Sequence, residues 1–168
     1  MADVVVIHPN RDKAEAKATK AAVILLLVTS AALIAIITIG GWSELQGAQI
    51  VSFGYIVIYL VMAYFVTRWN RGVLPVAAAL AVLFAVIAAV AGPAWFARDK
   101  AGFDVPALDP GILGMLTLIL VPVQILLIAF AMRGFQQEWN VEVEVSPDGA
   151  AGPTPPPHAG GGPSPAIS

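Results

Sequence analysis

Four long stretches without a charged residue constrain this chain more than any other feature of its sequence. They cover about residues 21–40, 48–67, 73–96 and 112–132. Each is close to the roughly 20 residues that an α-helix needs to cross the hydrocarbon core of a bilayer. Charged residues make up 12% of the chain and lie outside these stretches, whereas a soluble domain carries about 25%. The sequence therefore predicts an all-α integral membrane protein, built as a four-helix transmembrane bundle over residues 21–140.

Lysine and arginine are distributed unevenly among the segments that connect the four spans. The segments on one side of the membrane carry Arg11, Lys13, Lys17, Lys20, Arg68, Arg71 and Arg133, and those on the other side carry Arg98 and Lys100. Cytoplasmic loops of membrane proteins carry the excess of positive charge. We therefore expect a multi-pass protein with both termini in the cytoplasm. The Ala-, Val- and Gly-rich composition favours the inner (cell) membrane of a bacterium.

The two ends of the chain carry short segments with the character of β-strands. Residues 3–7 include a β-branched run, and residues 141–145 alternate apolar and acidic side chains as a half-buried strand does. Within the N-terminal arm, residues 1–20, Asn10 is expected to cap a helix that leads into span one. Span four is expected to continue as helix to about Asn140. We predict a small cytoplasmic two-stranded antiparallel ribbon; the alternatives are that each segment joins another protein's sheet, or that both ends are flexible.

The C-terminal residues 146–168 are rich in proline and glycine without a collagen repeat. They contain too little apolar surface to offset the entropy of ordering, so the sequence predicts a disordered tail. The alternative is that the segment PTPPP adopts a polyproline II helix and recruits a partner with an aromatic groove.

Uncharged polar side chains lie at one depth of the predicted spans. Thr29, Tyr59 and Gln124 are each about eight residues from the cytoplasmic edge of a span, roughly 12 Å deep at helical rise, and Ser30 is adjacent. This intramembrane polar layer either joins helices through hydrogen bonds or contacts a small ligand such as a quinone headgroup or a lipid carbonyl. The structural interpretation is favoured, because such hydrogen bonds are common between membrane helices.

Span three carries small residues at regular intervals. Ala77, Ala81, Ala85 and Ala89 are spaced four apart, which extends the small-xxx-small pattern that lets helix backbones approach closely. We therefore expect this helix-packing stripe to face a neighbouring helix.

The connection between spans three and four is the longest loop and contains Trp95, Phe96 and Phe103. Such rings in a loop either rest on lipid headgroups, which is the first-ranked interpretation, or form a docking surface for a partner. The aspartates of this loop are five residues apart, a spacing that matches no EF-hand, so no metal site is expected.

Several classes of activity are disfavoured by residues that the sequence lacks. There is no cysteine, which excludes thiolate catalysis and iron–sulfur ligation, and the net charge of −2 gives no basic balance for nucleic acid. No ionisable residue lies inside a span, where such residues usually mark ion pathways and proton relays. We therefore expect no catalytic, cofactor-binding or metal-binding residues, and no enzyme.

These observations favour a non-catalytic membrane protein, an accessory or scaffold subunit of a larger membrane complex. Its expected partners are the lipid bilayer and either other membrane subunits or further copies of itself. One alternative is a lipid- or small-molecule-binding membrane protein or an oligomeric transporter. A second alternative is a membrane anchor that recruits a partner through the proline-rich tail.

Overall fold

Helices make up most of the chain in the computed structural model, which describes residues 5–98 and 106–145. In chain order the elements are β1 (Val5–Ile7), α1 (Pro9–Asp12), α2 (Ala14–Gly40), a short 3-10 helix (Trp42–Glu44), α3 (Ala48–Thr67), α4 (Val73–Ala97), α5 (Pro110–Gln136) and β2 (Val143–Val145). The four helices α2 to α5 are long and apolar enough to cross a membrane. The prediction of a mainly helical chain with four membrane-length apolar helices is confirmed.

The helices agree with the apolar runs in their middles and differ at their ends. Helix α3 has the predicted bounds, but α2 begins at Ala14 and α5 runs from Pro110 to Gln136. The added residues of α2, with Ala, Glu and Lys, are good helix formers, so the backbone ladder continues beyond the apolar part. Helix α5 ends earlier than the expected Asn140, because the chain turns at Glu138, whose φ of 49° is left-handed.

The N-terminal arm differs from the prediction that Asn10 caps a continuous helix. The short α1 begins at Pro9, where the fixed φ of proline suits a first helical position, and the extended backbone of Lys13 separates it from α2. The Asn10 side chain instead accepts a hydrogen bond from Lys13 Nζ and donates one to the carbonyl of Glu138, at 2.8 and 3.0 Å. Asn10 therefore connects the two ends of the chain.

The four long helices pack unequally. Helix α4 packs most extensively on α5, and α2 packs on both α3 and α5, whereas α3 and α4 touch little. The main contact described between α3 and α4 is aromatic: the ring centroids of Tyr55 and Phe84 are 4.7 Å apart. Only Tyr59, Met62, Ala63 and Val66 of α3 are buried, so α3 is the most peripheral helix.

The stripe of small residues on α4 is buried at its start and exposed at its end. Ala77 and Ala81 are fully buried, Ala85 is half-buried, and Ala89 is exposed. A four-residue step turns a helix about 40° too far, so three such steps rotate the stripe by about 120°. The buried stripe keeps its direction by mixing steps of three and four. It comprises Ala77, Ala81, Phe84, Ala88, Gly92 and Trp95.

The two β-strands pair with each other in antiparallel register, with Val5 opposite Val145 and Ile7 opposite Val143. Each strand has three residues, fewer than the segments 3–7 and 141–145 that the sequence pattern indicates. Residues 3 and 4 of the first segment lie outside the described part of the chain. Beside the strands, the His8 ring lies 3.2 Å from the carboxylate of Glu142. We use the name ribbon end for the end of the bundle that contains these strands, α1, the beginning of α2, the α3–α4 turn and the end of α5.

Candidate functional site

Three side chains of the predicted polar layer meet in the interior of the bundle. The Tyr59 hydroxyl donates to Gln124 Oε1 at 2.8 Å, and Gln124 Nε2 donates to Ser30 Oγ at 2.9 Å. The Ser30 hydroxyl in turn donates to the Leu26 carbonyl one helical turn earlier, at 2.7 Å. All three side chains are fully buried. This hydrogen-bonded chain, the Ser30–Gln124–Tyr59 relay, joins α2, α5 and α3.

The fourth residue of the layer, Thr29, is half-buried and makes no side-chain hydrogen bond to the described residues. Adjacent helical residues point about 100° apart, so Ser30 and Thr29 cannot both face the relay. Pro122 lies inside α5 and has no N–H, so the carbonyl four residues before it lacks its usual helical donor. The Gln124 side chain does not replace that donor, because both of its polar atoms bond to Tyr59 and Ser30.

The polar groups of the relay are paired with other buried groups of the chain. Its members are a phenol, an amide and a hydroxyl, and each donates to or accepts from another buried group. The buried Thr38 and Thr117 likewise donate to carbonyls four residues earlier in their own helices. Among the residues that the structure describes, no three His, Cys, Asp or Glu side chains form a cluster that could hold a metal ion.

The ribbon end contains a second polar cluster, which the sequence analysis did not identify. Arg11 Nε donates to the carbonyl of Trp139 at 2.8 Å, and Gln137 Nε2 donates to the Thr19 hydroxyl at 3.0 Å. Trp139 is fully buried and is the largest such side chain in the described structure. These contacts hold the segment after α5 against α1 and the beginning of α2.

An aromatic pair lies beneath that segment. The rings of Trp69 and Trp139 meet edge to face with centroids 5.3 Å apart, and Lys20 Nζ lies 4.0 Å from the centroid of the Trp69 ring. Lys20 precedes the apolar run of α2. Its burial, together with the positive charge of Arg11, lowers the pKa of the Lys20 ammonium. The sequence carries no pattern that marks Trp139 as buried.

The α3–α4 turn borders an open concavity of about 420 Å³. Its lining residues are Trp69, Asn70, Arg71, Gly72, Phe135 and Asn140. The Arg71 guanidinium lies 4.2 Å from the centroid of the Phe135 ring, and its Nη1 donates to Asn140 Oδ1 at 3.0 Å. Asn70 accepts from the backbone N–H of Gly72 and so fixes the turn.

The opposite end of the bundle differs from the predicted aromatic loop. Trp95 lies within α4 and is 6% exposed, packed beside Gly41, so it is not available to a partner. Phe96 is exposed on one side while its ring contacts Gly114 of α5. Phe103 lies outside the described residues. The predicted span, about residues 73–96, already contains Trp95, but its apolar character does not show that this ring turns inward and packs beside Gly41.

An ion pair between Arg98 and Glu44 lies at the end of the bundle opposite the ribbon end. Arg98 Nη1 donates to Glu44 Oε2 at 2.7 Å and to the Glu44 carbonyl at 3.1 Å. Glu44 is 12% exposed as a side chain, so water screens the pair less than it would a surface pair. The contact ties the end of α4 to the connection between α2 and α3.

We find no match to this chain among protein-family models, curated proteins or solved structures. The two polar clusters of this chain both join helices or chain ends to one another, and neither contains a nucleophile beside a base.

Proposed function

We propose that this chain is a non-catalytic, multi-pass membrane protein that acts by packing, as an accessory or scaffold subunit of a larger membrane complex. The observation that supports this proposal most directly is the Ser30–Gln124–Tyr59 relay, in which buried polar groups satisfy one another. A transport path or ligand site inside the membrane needs polar groups that remain available.

The peripheral helix α3 supports the second half of the proposal. Nine of its twenty residues, including Ile50, Phe53 and Val57, are large, exposed hydrophobic residues. In a bilayer such a face is covered by lipid or by another helix. Because α3 also packs little on α4, a partner helix can approach it without displacing a helix of the bundle.

The proposed orientation places both termini, and with them the ribbon end, in the cytoplasm of a bacterial cell. Arg11, Lys13, Lys20, Arg68 and Arg71 all belong to the ribbon end, in agreement with the charge asymmetry of the sequence. There the paired strands would present a cytoplasmic ribbon to a partner.

Gentle detergent extraction followed by native mass measurement tests this function. A foreign membrane subunit in stoichiometric amount is expected in the extracted particle. A homo-oligomer or a particle with only bound lipid would contradict the accessory role and favour the lipid-binding alternative. Capture of a soluble partner that is lost when residues 146–168 are deleted would favour the anchor alternative.

A further inference from the structure

We propose that the concavity beside the α3–α4 turn binds the phosphate of an anionic phospholipid. The site consists of Trp69, Asn70, Arg71, Gly72, Phe135 and Asn140, around a volume of about 420 Å³. The proposal rests on the membrane insertion that the proposed function assumes, and it adds a ligand that the accessory role does not require.

Arg71 is held in place but is not neutralised. Phe135 supports the face of its guanidinium and Asn140 accepts one hydrogen bond, while no carboxylate lies within 4.0 Å of it in the described part of the chain. A guanidinium has five N–H donors, and the buried Nε of Arg71 has no acceptor among the described residues. A planar, pre-oriented guanidinium with unused donors is suited to a phosphate.

Several cations at this end of the bundle have no carboxylate partner among the described residues. Within residues 5–98 and 106–145, Lys20, Arg68 and Arg71 form no ion pair with a carboxylate. Other cations of the ribbon end do have carboxylate partners: Lys17 lies 3.9 Å from Asp12, and Arg133 lies 3.8 Å from Glu15. The cations that remain unpaired include both arginines of the α3–α4 turn, so an anion is favoured there.

The position of the concavity distinguishes a lipid from a soluble anion. It lies between the last residue of α3, Thr67, and the first of α4, Val73, where two apolar helices end and lipid headgroups begin. Exposed apolar side chains follow in both helices, among them Tyr64 and Val76. A phospholipid would place its phosphate at Arg71 and its acyl chains against these side chains, whereas inorganic phosphate would gain only the first contact.

The test is a thermal-stability titration of the full-length chain, purified in a zwitterionic detergent. Short-chain phosphatidylglycerol is the anionic probe, and phosphatidylcholine with the same acyl chains and inorganic phosphate are the comparison ligands. A ligand that binds the folded state raises the melting temperature in a concentration-dependent way. We expect phosphatidylglycerol to stabilise the wild type at lower concentrations than either comparison ligand does.

The variants Arg71→Gln and Arg133→Gln form a matched pair, because each removes one positive charge from the ribbon end. Arg71→Gln is expected to raise the half-saturating phosphatidylglycerol concentration about tenfold, because a change of this size corresponds to the loss of one hydrogen bond to a charged group. Arg133→Gln is expected to change it less than about twofold. Equal weakening in both variants, or no change in Arg71→Gln, would overturn the proposal.

If Arg71→Gln does not fold, a measurement on the wild type alone still tests the site. Native mass spectrometry with both lipids present should retain phosphatidylglycerol in preference to phosphatidylcholine, and equal retention would contradict the site. Protection by inorganic phosphate alone, as strong as that by the lipid, would also contradict it. A chain that stays dissolved without detergent would instead refute membrane insertion, so the two failures are distinguishable.

Discussion

Gln124 determines how three helices meet, because its amide both accepts and donates. The Tyr59 hydroxyl reaches it from α3 and the Ser30 hydroxyl from α2. Hydrogen bonds between membrane helices contribute about 0.6 kcal/mol on average and up to about 1.7 kcal/mol. Loss of the amide breaks both bonds and leaves the Tyr59 hydroxyl buried without its acceptor.

We predict that Gln124→Leu lowers the free energy of unfolding in detergent by about 1–3 kcal/mol. Denaturant titration of the purified chain measures this change. Thr29→Val is the control, since Thr29 makes no side-chain hydrogen bond in the described structure and should cost less than about 0.5 kcal/mol. Equal costs for the two variants would argue against a relay.

Depth within a span is a useful guide to such contacts, but it does not define them fully. Counting residues from the edge of each span indicates the level at which Tyr59 and Gln124 meet. It cannot separate Thr29 from Ser30, which differ in depth by only about 1.5 Å but in direction by about 100°. The rotation of each helix about its axis decides which of the two is buried, and packing sets that rotation.

At the scale of the elements, close approach of α4 and α5 depends on small residues. A Cβ atom added to Gly92 would lie 2.5 Å from Leu118 Cδ2, and one added to Gly114 would lie 2.8 Å from the Phe96 ring. Ala81, which is fully buried, lies on the same buried stripe of α4 as Gly92. Larger side chains in this seam would separate the two helices.

Ala81→Leu should therefore lower the free energy of unfolding by about 1–3 kcal/mol, because the buried seam has no room for the added carbons. Ala89→Leu serves as the control on the same helix and should lie within about 0.5 kcal/mol of the wild type, since Ala89 is exposed. Denaturant titration in detergent compares the two. A larger effect at Ala89 would show that the four-residue stripe, and not the observed one, faces α5.

The paired strands β1 and β2 are short, and an isolated two-stranded ribbon is marginally stable in water. Here the neighbouring contacts support it: Arg11 and Asn10 bind the carbonyls of Trp139 and Glu138. These are long-range contacts between the two ends of the chain. The alternation of apolar and acidic residues identifies the β2 segment. No pattern in the sequence shows that the carbonyls of Glu138 and Trp139 accept hydrogen bonds from Asn10 and Arg11.

Val143→Pro is predicted to increase protease cleavage around residues 141–145, because proline removes an N–H and fixes φ near −65°, far from the value of an antiparallel strand. The cleavage rate is measured by limited proteolysis of membrane vesicles oriented so that the side with the two termini faces the added protease. Val143→Thr keeps the N–H and a β-branched side chain, so its rate should match the wild type. A rate in Val143→Pro equal to that of Val143→Thr would contradict the pairing.

At the scale of the whole molecule, hydropathy identifies the four long helices, because each must bury or expose to lipid a continuous apolar surface. It does not identify how they are arranged. The extensive α4–α5 and α2–α5 contacts and the sparse α3–α4 contact depend on side-chain volumes at each seam, which a hydropathy profile averages away. The burial of Trp95 and Trp139 escapes prediction for the same reason.

If all four long helices cross the membrane, as we propose, the two ends of the chain lie on the same side of it. We predict that reporters fused before β1 and after residue 168 both respond as cytoplasmic, in accord with the excess of lysine and arginine at the ribbon end. Activity of paired cytoplasmic and periplasmic reporter enzymes measures this. A reporter placed in the loop that follows Arg98 should give the opposite result. Reporters at the two ends that respond as though on opposite sides would exclude an even number of crossings.

The pairing of β1 with β2 also sets an order of events during synthesis. Ile7 emerges from the ribosome long before Val143, its partner, has been made. At translation rates of about 5–20 residues per second, β1 waits on the order of 10 s before its mate exists. The two strands can therefore pair only after α5 has been synthesised. Until then β1 has no partner strand in its own chain, so its edge stays open for pairing.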